Sequence, residues 1–119
     1  MTHAVRHFAC LAALALVSAC SSDGSTSISE PPDPVQDATV TLRSSSFSPN
    51  NVAVFAGGSV TWNNTSGETH NVTFSTQGSP ADIANHSSGS NARDFAAAGT
   101  FNYQCTLHAG MNGRVTVVQ

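Results

Sequence analysis

The chain has no lysine, and its four basic residues are Arg6, Arg43, Arg93 and Arg114. Seven acidic residues leave it with a formal net charge of −3. A mildly acidic chain without a basic cluster lacks the electrostatic footprint of a nucleic-acid binder. It equally lacks the charge that would hold a protein surface to anionic lipid. Long apolar runs are missing too. The run from Phe8 to Val17 is ten residues, short of the roughly 17–25 needed to cross a bilayer. After residue 20 no long window repeats apolar residues at helical spacing, so a helical bundle has no support. With 119 residues there is room for one modest domain and not for two.

Cysteine is scarce as well. Of Cys10, Cys20 and Cys105, the first lies inside the apolar run and the second just beyond it. Cys105 is therefore the lone thiol of the folding part of the chain, and no disulfide can form within it. A single cysteine in an exported protein is a liability unless it is paired between chains, reactive or bound to metal.

The N-terminus has the layout of an export signal, with Arg6, His3 and His7 preceding the apolar run. Val17-Ser18-Ala19-Cys20 resembles the lipobox of bacterial lipoproteins. That resemblance implies cleavage after residue 19 and acylation of Cys20, where an ordinary secretory signal would leave the thiol free. Residues 20–37 are rich in Ser, Asp and Pro, with Ile28 the one aliphatic residue before Val35. Such a segment cannot bury enough apolar surface to offset its ordering entropy, and is expected to be a flexible tether. The expected division is thus a signal at 1–19, a lipid-anchored linker at 20–37 and a domain at 38–119. From Cys20 onward three arginines face seven acids, a net charge of −4.

What remains reads as short β-strands. Residues 38–43, Ala-Thr-Val-Thr-Leu-Arg, alternate with period two. Val52–Val54 and Val60–Trp62 continue the pattern, separated by Gly57-Gly58, a turn signal. Residues 71–74, 94–95, 100–105 and 114–118 follow. Several short strands in some 80 residues predict an all-β sandwich. Its expected core holds Val40, Leu42, Val54, Trp62, Phe74, Phe101, Tyr103 and Val117. The stretch Ser75–Ser90 breaks the rhythm and is expected to be a long loop, with a single helical turn around Ala81–Asn85. His86, within it and without a partner motif, is expected to be solvated.

Chemistry concentrates in Cys105-Thr-Leu-His108-Ala-Gly-Met111, where a strand ends and a loop begins. A thiolate, an imidazole and a thioether from one loop make a soft ligand set. A second imidazole, available at His70, completes a His₂Cys site with a weak axial methionine, the arrangement of blue-copper centres. Each residue alone has a plainer explanation: a solvated histidine, a core methionine, a small buried thiol. Their joint occurrence in a single exported β domain is what carries the reading.

The pattern resembles the plastocyanin and amicyanin branch of the cupredoxins, over nearly all of residues 38–119. The stretches that carry it are Phe47-Ser-Pro, Val60-Thr-Trp-Asn-Asn64, His70-Asn-Val72, Gly99-Thr-Phe-Asn-Tyr-Gln-Cys105 and the Cys-x₂-His-x₂-Met loop, whose spacing is like that of amicyanin. The resemblance implies a Greek-key sandwich of seven to eight strands holding one type 1 copper on His70, Cys105, His108 and Met111. It also implies that Asn71 ties the upstream strand to the loop at Thr106. His108, among Leu107, Ala109 and Gly110, would then be the electron's exit. The function implied is electron transfer between redox proteins of the bacterial envelope, a c-type cytochrome or a cuproenzyme, by a non-enzymatic monomer with no small-molecule substrate. A copper store or chaperone is the alternative, and it would use some of the same ligands. A Cys–His hydrolase lacks a motif-placed group to orient its base, and a zinc site would leave Met111 without a purpose. A multicopper oxidase or nitrite reductase would need a second centre, for which too few histidines remain.

Overall fold

A computed structural model describes residues 31–119, which form eight strands. The expectations for the signal, Cys20 and most of the tether lie outside the described residues. The strands are β1 (Val35–Leu42), β2 (Phe47–Ser48), β3 (Asn51–Asn64), β4 (His70–Phe74), β5 (Ile83–His86), β6 (Gly89–Phe95), β7 (Gly99–Gln104) and β8 (Asn112–Val118). β1 thus begins three residues before the expected domain start at Ala38, because Val35 already pairs with Val54 of β3.

β3 organises the molecule. Its first half, Asn51–Phe55, runs parallel to β8, and its second half, Gly58–Asn64, runs antiparallel to β6. β1 lies parallel to β3 and crosses the bend, its register jumping between Val35 and Asp37. The hydrogen-bonded path β2-β1-β3-β8-β7-β4-β5, with β6 on the free side of β3, is thereby folded into two facing layers. This is the expected all-β sandwich, in which the β1–β3, β3–β8, β4–β7 and β3–β6 pairings join strands that are not consecutive in sequence.

The Gly57-Gly58 pair was expected to be a turn between two strands, and the structure makes it a bend within one strand of 14 residues. Gly57 has a φ of +88°. A Cβ on Gly58 would collide with the Gln36 and Phe55 carbonyl oxygens. The missing side chain is therefore what lets β1 stay paired while β3 changes layers.

Ser75–Ser90 also departs from expectation. It contains β5 and the start of β6 and no helical turn. Ile83 is buried against the core, and β5 pairs antiparallel with β4 through Val72–Ile83 and His70–His86. Arg93 fastens the preceding chain by donating to the Ala81 and Asp82 carbonyls at 2.7 and 2.8 Å. The Phe74 amide donates to Asp82 Oδ1 at 2.9 Å. These bonds hold residues 81–82 against β4 and β6, so the sequence's polarity here reflects side-chain-to-backbone bonding rather than a free loop.

Seven of the eight expected core residues are buried, and Phe74 is half-buried against them. Phe47, Val52, Val60, Val72, Ile83, Phe95 and Val115 complete the apolar centre. Trp62 packs edge-on to Tyr103 at 5.3 Å between ring centres, and Phe47 packs edge-on to the same ring at 4.8 Å. Aromatic pairs of this kind add about 0.5–1.5 kcal/mol beyond the area they bury. Tyr103 thus anchors β7, which delivers Cys105 one residue beyond its end.

Candidate metal centre

β4 and β7 are antiparallel neighbours, with Thr73 opposite Gln104. That register brings the start of β4 beside the chain leaving β7, so His70 and Cys105 meet although 35 residues separate them. The Cys105 sulfur lies 3.8 Å from His70 Nδ1 and 3.6 Å from His108 Nδ1. All three donor atoms fall within 4.8 Å of one another. Donors that share one ion at bond lengths of about 2.0–2.3 Å are themselves under about 4.6 Å apart, and the sulfur's 3.8 and 3.6 Å separations from the two imidazole nitrogens fit a common ion.

Burial grades the four residues. His70 is wholly buried, and Cys105 and Met111 are buried with it. Of the His108 side chain 29% is exposed, with Glu68 Oε2 3.9 Å from its Nε2. Burial pushes the His70 pKa below its ordinary value of 6.5; His108 and, more weakly, His86 act in the same direction, against a raising influence from Glu68. The ring is thus held neutral, with a lone pair available to a metal.

The loop is closed by its own backbone. The Cys105 amide donates to the Met111 carbonyl at 2.9 Å, and the Met111 amide to His108 at 3.2 Å. Gly110, at a φ of +78°, makes the turn between them. Asn71, expected to reach Thr106, does so twice. Its Nδ2 donates to Thr106 Oγ1 at 2.7 Å, and its Oδ1 accepts from the Thr106 amide at 2.9 Å. Nδ2 also donates to Asn85 Oδ1 at 2.9 Å, which binds β5 into the same network.

His86, expected to be solvated, is half-buried opposite His70. Its Nδ1 lies 3.0 Å from the Ala84 carbonyl, and its Nε2 is enclosed without a partner. Strand pairing places it there, and sequence proximity gave no hint of it. Also missed were Asn64, Ser66 and Glu68, in the turn that leads into His70; the one available signal was the turn-forming Asn64-Thr-Ser66-Gly67.

A family model for copper-binding proteins of the plastocyanin/azurin family matches residues 36–118. The chain belongs to that family. It is similar to plastocyanin of Scenedesmus fuscus, with 37% identity over 97 residues, covering 68% of this chain and 99% of that one. It is also similar to amicyanin-alpha of Methylorubrum extorquens, with 34% identity over 113 residues, covering 92% and 93%. Among solved structures, the reduced state of an amicyanin variant superposes with a TM-score of 0.61 at 28% identity, covering 68% of this chain and 81% of that one. Cupredoxin membership and the donor set agree: a thiol and two imidazoles, with a buried methionine ending the same loop, form a group able to bind one copper ion.

Proposed function

We propose that the chain is an electron carrier, exported and lipid-anchored at Cys20, that exchanges single electrons with redox proteins of the bacterial envelope. The observation that carries the electron-transfer reading is one free, buried thiol facing two imidazole nitrogens in a closed donor set. Copper bound there supplies a one-electron couple, Cu(II)/Cu(I). The protein's part is to keep its donors still. His70 stands on β4, Cys105 is tied to Met111 through the backbone, and Asn71 clamps the two sides together. Ligands that cannot move need little rearrangement when charge changes, and that keeps exchange fast.

His108 supports an exit route, since it alone of the four joins the buried set to solvent. Leu107, 48% exposed, lies beside it with the exposed Ala109 and Gly110. Redox encounters use small interfaces, so a patch of this size suffices. A c-type cytochrome or a cuproenzyme is the proposed partner class. A copper store or chaperone would want an open, exchangeable set, and three of the four residues here are buried. Export is supported by the signal-like N-terminus.

A visible spectrum of the copper-loaded, oxidised protein tests the reading. It should show intense thiolate colour that ascorbate bleaches reversibly, and Cys105→Ser should abolish it with the fold retained. A colourless wild-type protein would overturn the assignment. Cys20→Ser should move the domain from the membrane fraction to the soluble one, and a wholly soluble wild-type protein would remove the anchor.

A further inference from the structure

The turn before β4 holds a hydrogen-bond arrangement whose directions can be worked out in full. The Asn64 side chain is buried, and its Nδ2 donates to two carbonyls, Glu68 and His86, each at 2.9 Å. Its Oδ1 accepts from the Ser66 amide at 3.1 Å. Turning the amide over would set its oxygen against two carbonyls and its NH₂ against an N–H, so the orientation is fixed.

Ser66 Oγ then faces three close partners. Asn64 Oδ1 lies at 2.8 Å, the Glu68 amide at 3.1 Å and His70 Nε2 at 3.1 Å; the Glu68 carbonyl, at 3.5 Å, is at the limit of contact. A hydroxyl has one proton and two lone pairs. Asn64 Oδ1 can only accept, so the proton goes there. The Glu68 amide can only donate, so it takes one lone pair. The second lone pair faces His70 Nε2, which must therefore carry a hydrogen. A neutral imidazole protonated at Nε2 has its lone pair at Nδ1, the atom 3.8 Å from the Cys105 sulfur.

We infer that Asn64 and Ser66 act as a positioning relay, which holds His70 as the Nε2–H tautomer and fixes its ring with Nδ1 presented to the metal. The metal in this inference rests on the copper reading above, but the tautomer does not. The relay also draws on β5. Through the His86 carbonyl, β5 supplies one of the two acceptors that orient Asn64. The segment least legible in the sequence thus sets the direction of a hydrogen bond on a ligand. Partners of this kind orient a ligating histidine and raise its basicity, and losing one typically weakens metal binding about 10–100-fold.

Ser66 is half-buried and its Oγ is the one atom that Ser66→Ala removes, so the variant should fold. Long-range ¹H–¹⁵N spectra of metal-free protein at about pH 8, where an ordinary histidine is neutral, report the His70 tautomer directly. Wild type should show a single Nε2–H form. Ser66→Ala should show a mixture and bind Cu(II) about 10–100-fold more weakly. Ser66→Thr, which keeps the hydroxyl, should restore both. An Nδ1–H tautomer in wild type overturns the relay. So does a Ser66→Ala protein with unchanged tautomer and affinity, or a Ser66→Thr protein as impaired as the alanine variant. If wild type forms no coloured copper site, the copper reading fails, and the metal-free spectra still decide the tautomer.

Discussion

His70 stands on β4 with none of its surface exposed, whereas 29% of the His108 side chain reaches solvent. Both turn Nδ1 toward the same sulfur at nearly the same distance. Their surroundings differ because their backbones do. His70 belongs to a strand paired on both sides, by β5 and β7, and its far nitrogen meets a hydroxyl fixed by Asn64. His108 belongs to a loop, and its far nitrogen faces an exposed carboxylate. One imidazole is part of the scaffold; the other is the edge of the site. A carrier needs both, since a fully buried set gives electrons no short path out and a fully exposed one cannot keep its geometry.

The largest expected effect comes from removing each ring in turn. His108→Gly should leave a gap open to solvent, so added imidazole should enter, refill the position and restore the visible band of copper-loaded protein. His70→Gly should leave a closed cavity that imidazole does not reach, and colour should stay lost. If both variants recover alike, or neither does, the difference in burial has no functional meaning. The titration is followed by absorbance, with circular dichroism to confirm that both variants keep their strands.

Asn71 joins the two sides, so cutting it probes how far the scaffold supports the loop. Asn71→Ala removes two bonds to Thr106 and one to Asn85 from a buried position. Leaving such partners unmet costs about 1–3 kcal/mol. Urea unfolding of the metal-free protein should show that loss, and copper should dissociate faster. Unchanged stability would mean that the loop holds itself through the Cys105–Met111 backbone bond alone.

A smaller effect follows from the lowered pKa of His70. The folded protein takes up this proton less readily than the unfolded chain, whose histidine titrates near 6.5. Stability from this group is therefore complete above pH 6.5 and is lost as pH falls below it toward the folded-state pKa. Metal-free wild type should weaken over that window, and His70→Gln should flatten that part of the profile. An identical slope in both proteins would assign the acid sensitivity elsewhere.

How much of this was legible depends on how far each feature lies from its partners along the chain. Cys105, His108 and Met111 could be found because one seven-residue loop carries all three, and His70 because a second imidazole was needed and one opened a strand. The Asn71–Thr106 clamp was reachable through family resemblance alone, since nothing local pairs residues 35 apart. β5 was not legible: in four residues with Ile83 alone buried, alternation has no room to show. The bend in β3 was hidden because Gly-Gly marks a turn in most contexts. Here β1 pairs with β3 on both sides of the bend and keeps it one strand. Asn64-Thr-Ser66 looked like any polar turn, and its role depends on a carbonyl 22 residues away.

Met111 complicates the contrast, because it lies on the loop in sequence but is as buried as the scaffold, at 1% exposure. Its amide accompanies His108 and its carbonyl holds Cys105, so its backbone works for the loop. The open question is what its thioether does. Leucine keeps the volume and apolarity, and such swaps cost under about 1.5 kcal/mol, so Met111→Leu should leave the fold and the backbone bonds nearly untouched. A thioether at a weak axial position still donates some charge to Cu(II) and less to Cu(I). Its removal should destabilise the oxidised form more, and the reduction potential should rise while the colour persists. Met111→Gln should lower the potential, because an amide oxygen is a harder donor that favours Cu(II). A redox titration of the two variants separates the alternatives. Opposite shifts place Met111 among the ligands, whereas equal potentials with a change in stability alone make it core, and the donor set then ends at three.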